Sequence, residues 1–354
     1  MSLSTDRPLP PPLPLPLGTV LAIDGGNSKT DVVLVDEKGT VLASARTGGF
    51  TPQASGVAAA VAVAAEAVAL VHAELGALAG VSGGASAGVS GGQSGGAPDG
   101  IPGAMRLARH LSAYVAGADL EIEEEALARA FAAQNWTETV EVGNDTFALL
   151  RAGATRPWGV AVVCGAGVNA CGIGPDGRRA RFPALGRLTG DWGGGHYLGE
   201  EALWYAVRGE DGRGPKTALT DAVAEYFSRK TVEEVSIAIH LGEIDNERLN
   251  ELSPVLMRVA TEGDAVALKL VDRMAEEVVT MARVALARLD IERTEAEVVL
   301  GGGVLRAQPP VLMERIAAHA KAGIPRASLV VAADPPVMGA ALLGLDALGL
   351  TPAQ

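Results

Sequence analysis

Residues 24–30 place several anion-binding groups in direct succession. In order they are Asp24, Gly25, Gly26, Asn27, Ser28, Lys29 and Thr30. Because glycine has no side chain, backbone N–H groups at a glycine turn can approach an anion closely. Ser28 and Thr30 add hydroxyl donors. Lys29 can neutralise phosphate charge, and Asp24 can hold Mg²⁺ through water. A plain hairpin with a Gly-Asn turn has the same appearance, so this segment alone leaves both interpretations open.

Two later glycine segments extend the pattern. Residues 164–169 form a second hairpin with the same kind of turn, which offers another backbone cradle for an anion. Its turn consists of Gly165, Ala166 and Gly167. Residues 298–305 join a strand to a helix through three glycines, which leave room for a base or a ribose. They are Gly301, Gly302 and Gly303. A tight strand-to-helix turn is the alternative for this third segment.

Asp145 is the candidate catalytic residue. It follows a predicted strand at 139–142 and stands where a helix should begin. A carboxylate at such a position can accept a proton from an attacking hydroxyl. The alternative is that Asn144 or Asp145 only caps the helix.

A segment at 186–196 has no hydrophobic period and is predicted to be a loop held open for a ligand. Gly190 and Asp191 lie at its centre. His196, at its end, is interpreted as a hydrogen-bonded loop histidine.

The elements that must position these residues are read from apolar runs and turns. Three strands at the N-terminus predict an antiparallel meander, unlike the strand-helix-strand opening of a dinucleotide-binding fold. Strands are predicted at 19–24, 31–36, 40–46, 139–142, 159–164, 168–173, 297–300 and 328–331. Helices are predicted at 55–77, 104–115, 121–132, 197–208, 217–229, 231–240, 247–260, 264–289, 309–322 and 337–348. Residues 178–181 are predicted to be a solvated hairpin end, and residues 85–90 a thin strand within a Gly/Ser-rich loop.

Length and charge restrict the class of protein. A chain of 354 residues favours two domains around a cleft. A net charge of -13 disfavours nucleic acid or an anionic membrane as a partner. Two cysteines, Cys164 and Cys171, are too few for a disulfide framework or a four-cysteine zinc site, and we expect a reducing cytoplasm.

The ordered set of glycine segments resembles the two phosphate motifs and the adenosine motif of the superfamily of actin, heat-shock ATPases and sugar kinases. Residues 142–149 and 336–341 resemble its connecting motifs. Within that superfamily the sequence is most similar to the N-acetylglucosamine kinase family, which is grouped with the BadF/BadG/BcrA/BcrD activator ATPases. The resemblance covers residues 19–348.

This resemblance implies an α/β fold of two actin-like (ribonuclease H-like) domains, each a mixed β-sheet with helices, with an ATP cleft between them. It implies residues 19–151 plus 335–354 for the N-terminal domain and 152–334 for the C-terminal domain. Residues 1–18 are expected to be a disordered Pro-rich tail, and residues 80–100 a flexible loop.

The resemblance also implies the chemistry. ATP and Mg²⁺ would be the cofactors, and Asp145 would face the 6-hydroxyl of an amino sugar, with N-acetylglucosamine or glucosamine as acceptor. The implied sugar-binding residues are Thr51, Asn144, Asp145, Asn169, Gly190 and Asp191.

This sequence departs from the family pattern around the implied sugar site. Trp192 and Gly194 replace a Glu and a Ser after Gly190 and Asp191, and Thr51 or Gln53 must stand in for an Asn. The identity of the sugar therefore stays open, as does a homodimer. An activator ATPase with an iron-sulfur cluster is disfavoured, because Cys164 and Cys171 lack the cysteine setting of such proteins. A non-catalytic regulator with a DNA-binding helix-turn-helix is disfavoured, because only a short Pro-rich tail precedes the first predicted strand.

Overall fold

The computed structural model describes residues 18–78 and 106–350, which form two compact units. One unit contains the described residues up to Gly143 and those from Ala340 onward, and the other is Asn144–Gly339. The domain limits at 151/152 and 334/335 stay predictions. The Gly/Ser-rich loop at 80–100, the thin strand at 85–90 and the predicted tail, apart from Gly18, lie outside the described residues. Gly18 begins the first strand and is not part of a disordered tail.

The first unit contains one mixed five-stranded sheet. Its elements are β1 (Gly18–Gly25), β2 (Thr30–Val35), β3 (Val41–Thr47), α1 (Pro52–Ser55), α2 (Val57–Leu78), β4 (Ala108–Val115), α3 (Glu121–Ala132) and β5 (Thr139–Asn144). The strand order is β3-β2-β1-β4-β5. The β1-β2 and β2-β3 pairs are antiparallel, as the predicted meander requires, and β1-β4 is parallel.

The second unit contains another mixed five-stranded sheet. Its elements are α4 (Asp145–Gly153), β6 (Gly159–Cys164), β7 (Val168–Ile173), β8 (Arg179–Arg181), α5 (Gly195–Asp211), α6 (Leu219–Tyr226), α7 (Val232–His240), α8 (Leu252–Thr261), α9 (Ala265–Arg288), β9 (Glu297–Gly301), α10 (Gly302–Arg306), α11 (Pro310–Gly323) and β10 (Ser328–Val331). The order is β10-β9-β6-β7-β8, with β6-β7 antiparallel and β6-β9 parallel. A final helix, α12 (Pro336–Ala347), crosses the boundary between the units.

The predicted helix at 104–115 is wrong, because residues 108–115 form strand β4. All residues of β4 except Arg109 are buried. A strand buried on both faces has no polar alternation, so its apolar run cannot be distinguished from a buried helix by period alone.

Two other predicted elements differ from the structure in part of their length. The predicted helix at 247–260 is a 3₁₀ turn at Asn246–Glu251 followed by α8. The arginine-rich hairpin end at 178–181 includes the short strand β8, whose Ala180 is buried and which pairs with β7.

Helix α2 supplies the core of the first unit. By length and composition alone, residues 57–77 of α2 could cross a membrane. One side of the helix is, however, buried inside the protein. Ala64, Val68 and Val71 of α2 pack in one cluster with Leu21 and Val32 of the sheet. The length of α2 is thus explained by packing on a sheet.

Helix α12 packs close to the same sheet within the first unit. The Ser112 hydroxyl donates to the Ala340 carbonyl at 2.6 Å. A Cβ atom on Gly344 would lie 2.6 Å from Val20 Cγ1 and 2.9 Å from Ser112 Cβ. The helix therefore needs glycine at this position.

Gly344→Ala is expected to destabilise the protein by about 1–3 kcal/mol, because the added methyl group overlaps β1 and β4. Urea unfolding measures the change. The matched control is Gly76→Ala on α2, where the added methyl group meets no atom within 4 Å. That control should gain up to about 1 kcal/mol from helix propensity. Equal stability of the two variants would contradict the close packing of α12.

Candidate functional site

The first glycine hairpin lies between β1 and β2. The Gly26 N–H donates to the Lys29 carbonyl at 2.8 Å, which closes the turn, and the Gly26 carbonyl accepts from Phe50 N–H at 2.8 Å. A Cβ atom on Gly49 would lie 2.1 Å from the Asn27 carbonyl oxygen. The segment after β3 therefore supports the turn by backbone contact, while Asn27 and Ser28 are exposed at its tip.

Four charged side chains surround the base of this hairpin. Asp24 and Asp31 occupy paired positions on β1 and β2, and Arg46 on β3 is paired with Asp31. The Lys29 ammonium forms an ion pair with Asp31. Burial acts to raise the pKa of Asp31, but hydrogen bonds from Arg46 and Lys29 hold it below its ordinary value. The predicted phosphate-binding lysine is thus bonded to a carboxylate that was not among the predicted site residues.

Two predicted residues near the first hairpin are engaged within the protein. Thr30 is fully buried, and its hydroxyl donates to the Gly48 carbonyl at 2.8 Å. Thr51 is half-buried and precedes α1, where its carbonyl accepts from the Ser55 N–H and hydroxyl, each at 2.9 Å. The Thr30 side chain therefore connects β2 to the segment after β3.

The second hairpin, between β6 and β7, is held from one side by α5. The first two N–H groups of α5, from Gly195 and His196, donate to the Gly165 and Ala166 carbonyls at 2.7 and 3.0 Å. Cβ atoms on Gly165 and Gly167 would meet no atom within 4 Å. The Gly165 and Ala166 carbonyl oxygens are thus bonded to α5, while the Gly167 carbonyl accepts from the Gly165 N–H at 2.9 Å. The space at both glycines is open.

The third glycine cluster packs against this second hairpin. Strands β6 and β9 are parallel neighbours, so Gly301 lies beside Val163. Gly302 has a φ of 80°, and a Cβ atom there would lie 2.4 Å from the Cys164 carbonyl carbon. Only glycine fits so close to another backbone. Gly303, by contrast, faces open space. Two of the three predicted nucleotide segments are therefore in contact within the second unit.

Asp145 is the first residue of α4, and Asn144 caps the helix. The Asn144 Oδ1 atom accepts from the Thr146 N–H at 3.1 Å and from the Thr146 hydroxyl at 2.5 Å. The Asn169 side-chain amide donates to the same oxygen at 3.4 Å. The capping interpretation thus holds for Asn144, which leaves Asp145 free of that role.

The environment of Asp145 favours its protonated form. The carboxyl is half-buried, and burial raises its pKa to about 6, against the opposing effect of the N–H groups of Thr146 and Asp145 itself. Cys171 on β7 lies in the same surroundings, where burial raises its thiol pKa to about 12. A carboxylate with a pKa near neutral suits a general base.

The loop predicted to bind a ligand contains a 3₁₀ turn at Gly186–Thr189. The Thr189 hydroxyl donates to the Asp191 carboxylate at 2.7 Å. Trp192 is buried in the second unit, and the Arg273 guanidinium lies 4.1 Å from its ring centroid. Burial raises the pKa of Glu277 on α9, and the charge of Asp191 adds to this effect. Trp192 therefore anchors the loop, and Asp191 stands near a second carboxyl group.

The residues at the first hairpin fit a Mg²⁺ ion that keeps most of its water. Within residues 18–78 and 106–350, no group of three His, Cys, Asp or Glu side chains is arranged to hold a metal. Mg²⁺ at phosphate-transfer sites is commonly held by one or two carboxylates together with phosphates and water. Asp24, buried at the end of β1 beside the glycine turn, meets that requirement.

The structure brings together Asn144, Asp145, Asn169 and the two glycine segments in one unit, and Asp24 with Lys29 in the other. It adds Asp31 and Arg46, which sequence reasoning missed. An aspartate inside the apolar run 30–35 was the available signal, because an acidic residue in a buried strand needs a partner.

Comparisons with known proteins find one matching family and two similar kinases. The model of the BadF/BadG/BcrA/BcrD ATPase family matches residues 21–344. An N-acetyl-D-glucosamine kinase of Dictyostelium discoideum is 26% identical over 209 residues, which are 58% of this chain and 65% of that protein. An N-acetylmuramic acid/N-acetylglucosamine kinase of Clostridium acetobutylicum is 24% identical over 190 residues, 54% of this chain and 62% of that protein. The chain thus spans slightly less than two thirds of the length of these relatives.

A solved structure shows the fold. The crystal structure of a candidate N-acetylglucosamine kinase from Chromobacterium violaceum is 20% identical and has a TM-score of 0.68. The match covers 93% of this chain and 99% of that one. The prediction of two actin-like domains, each a mixed sheet with helices, is confirmed.

The raised pKa of Asp145 predicts a stability change in Asp145→Asn. Because the folded-state pKa, about 6, exceeds the ordinary value of 3.8, ionisation of Asp145 costs the folded state about 3 kcal/mol at pH 7. That cost is absent below pH 3.8, grows as pH rises from 3.8 to about 6, and is constant above that. Asparagine removes it, so the variant should be more stable than the wild type at pH 7, by an amount that shrinks toward pH 4. Urea unfolding at several pH values measures the difference, and a pH-independent difference would contradict the shift.

Proposed function

We infer that this chain, which belongs to the BadF/BadG/BcrA/BcrD ATPase family, is an ATP-dependent kinase of an amino sugar. The proposed reaction moves the γ-phosphoryl group of ATP to the sugar 6-hydroxyl, with N-acetylglucosamine as the leading acceptor. The observation that carries this proposal is the position of Asp145. It begins α4 beside Asn169, in the unit that also joins the second hairpin to the third glycine cluster.

The phosphates of ATP are assigned to the two hairpins. A phosphate needs N–H donors, and the open space at Gly165 and Gly167 lets it reach the backbone. On the first hairpin the exposed turn residues and Lys29 supply donors and positive charge. Gly301, Gly302 and Gly303 are assigned to adenosine. The assignment of each hairpin to phosphate binding rests on the order of the motifs and on family membership.

The proton transfer is assigned to Asp145. Its carboxylate accepts the proton of the sugar 6-hydroxyl as the hydroxyl oxygen attacks the γ-phosphorus, and ADP leaves with the bridging oxygen. Asn144 and Asn169 fix the start of α4, and we assign them, with Thr51, Gly190 and Asp191, to sugar binding. Mg²⁺, held by Asp24 through water, would neutralise charge on the phosphates.

The acceptor is proposed from the names of the relatives. Two of them are described as kinases of N-acetylglucosamine, one also of N-acetylmuramic acid. Trp192 is buried in the loop where the family places a glutamate, so it anchors the loop and offers no carboxylate to a sugar. Glucosamine therefore stays the alternative acceptor.

An activator ATPase is the second candidate function, and the cysteines argue against it. Cys164 and Cys171 are both buried, and burial raises the pKa of each thiol to about 12. Iron-sulfur clusters need accessible thiolates. We place the reaction in the cytoplasm, where these two thiols would stay reduced.

Asp145→Ala is expected to lower kcat about 1,000-fold while leaving ATP binding intact, because it removes the proton acceptor and no phosphate ligand. ATP consumption is measured with N-acetylglucosamine, glucosamine and glucose in parallel, and ATP binding by calorimetry. In the wild type, kcat/KM should fall on acidification with an apparent pKa of about 6. Turnover near the wild-type rate in the variant would refute the assignment.

Gly165→Ala tests the phosphate-binding turn. The added methyl group meets no protein atom, so stability should stay within about 0.5 kcal/mol of the wild type. The methyl group would occupy the space through which a phosphate reaches the backbone, and KM for ATP should rise about tenfold. Gly76→Ala on α2, also in open space, is the control and should leave KM unchanged. An unchanged KM in Gly165→Ala would remove this turn from the ATP site.

A further inference from the structure

Three charged residues lie in one row across β1, β2 and β3. In register, Asp24 is paired with Asp31, and Asp31 is paired with Arg46. Side chains at paired positions of antiparallel strands stand on the same face of a sheet. The row therefore places two carboxylates and one guanidinium side by side, at the end of the sheet that carries the first glycine turn.

Asp31 is the buried centre of this row. Its side chain is 8% exposed, whereas those of Lys29 and Arg46 are 41% and 63% exposed. Arg46 donates from Nε to Oδ1 at 2.5 Å and from Nη2 to Oδ2 at 3.1 Å. Lys29 donates to Oδ2. One buried carboxylate is thus shared by two cations, one of which contacts both of its oxygens.

The Lys29 ammonium can form an ion pair with the Asp31 carboxylate or with a phosphate, and the two anions compete for it. Three phosphates carry more negative charge than one carboxylate, so an ammonium group at the turn is attracted to them. If Lys29 left Asp31 without a remaining partner, a buried carboxylate would lose its compensation, which is strongly unfavourable. The two hydrogen bonds from Arg46 remain after Lys29 leaves, because a guanidinium can hold both carboxylate oxygens alone.

We propose that Arg46 is a positioning residue for ATP binding, which holds Asp31 so that the Lys29 ammonium can move from Asp31 to the phosphates. This inference rests on the proposed function and assigns a role to two residues outside the glycine motifs. It predicts that Arg46 affects the binding of phosphates and leaves adenosine unaffected. It also predicts that Arg46 becomes unnecessary once Asp31 carries no charge.

The test compares dissociation constants of ATP and of adenosine by calorimetry on the full chain. Arg46→Gln should weaken ATP binding about tenfold, because Lys29 then stays on Asp31, while adenosine binding is unchanged. Arg46→Lys keeps the positive charge but loses the planar guanidinium that contacts both carboxylate oxygens. Its dissociation constant for ATP should therefore lie between those of the wild type and Arg46→Gln. Arg129→Gln, which removes an exposed arginine paired with Glu125 at 3.5 Å, is the control and should bind ATP as the wild type does.

A double-mutant cycle separates positioning from a structural effect. In an Asp31→Asn background, Arg46→Gln should no longer change ATP affinity. The inference is overturned if Arg46→Gln binds ATP as tightly as the wild type, if ATP and adenosine weaken equally, or if the effect of Arg46→Gln persists beside Asp31→Asn. If the wild type itself binds no ATP, the proposed function fails, and this inference fails with it.

Discussion

The candidate site of the second unit depends on backbone packed directly against backbone around the turn after β6. Gly302 lies against the Cys164 carbonyl carbon, and Gly194 lies against Ala166 and Gly167, at distances that leave no room for a Cβ atom. These contacts hold β9 and the start of α5 against one hairpin. A larger side chain at either glycine would push the segments apart, so the glycines do more here than permit a turn.

The position of Asp145 is likewise fixed by its neighbours, here through side-chain hydrogen bonds. The Asn144 side chain accepts both donors of Thr146, and Asn169 donates to it from β7. The start of α4 is therefore tied to the second hairpin by side-chain hydrogen bonds. Because the Asn144 side chain caps α4, the Asp145 carboxylate is not needed as the cap and can take part in chemistry.

The sequence predicted those parts of the fold in which turns and apolar runs agree. The hairpin at 159–173 and the helices at 231–240 and 264–289 were predicted to within one residue, because each is bounded by glycine, a cap or a charged residue. Strand β4 was predicted as a helix, because its burial on both faces removes the alternation that identifies a strand. The short strand β8 is a strand because it pairs with β7, and a pairing between strands cannot be recognised from the local sequence.

The candidate site was predictable only where it is made of motifs. The glycine turns and Asp145 were proposed from residue type and spacing, and the structure shows that two of the glycine segments are in contact. The partnership of Asp31 with Arg46 depends on the register between β2 and β3, and that register is shifted at Leu34/Val35. A contact across strands with a register irregularity cannot be counted from the sequence alone.

Asp31 and Asp145 show how their surroundings give two carboxyl groups opposite properties. Both are removed from water, which raises the pKa of any carboxyl group. Asp31 has two cations bonded to it, and these hold its pKa low, so it stays ionised and orients other charges. At Asp145 the opposing effect comes only from backbone N–H groups, and the pKa remains at about 6. A carboxyl group that changes its protonation near neutral pH can exchange a proton with a substrate, whereas one held ionised by arginine and lysine can only position them. The opposite pKa shifts of the two residues thus follow from their partners.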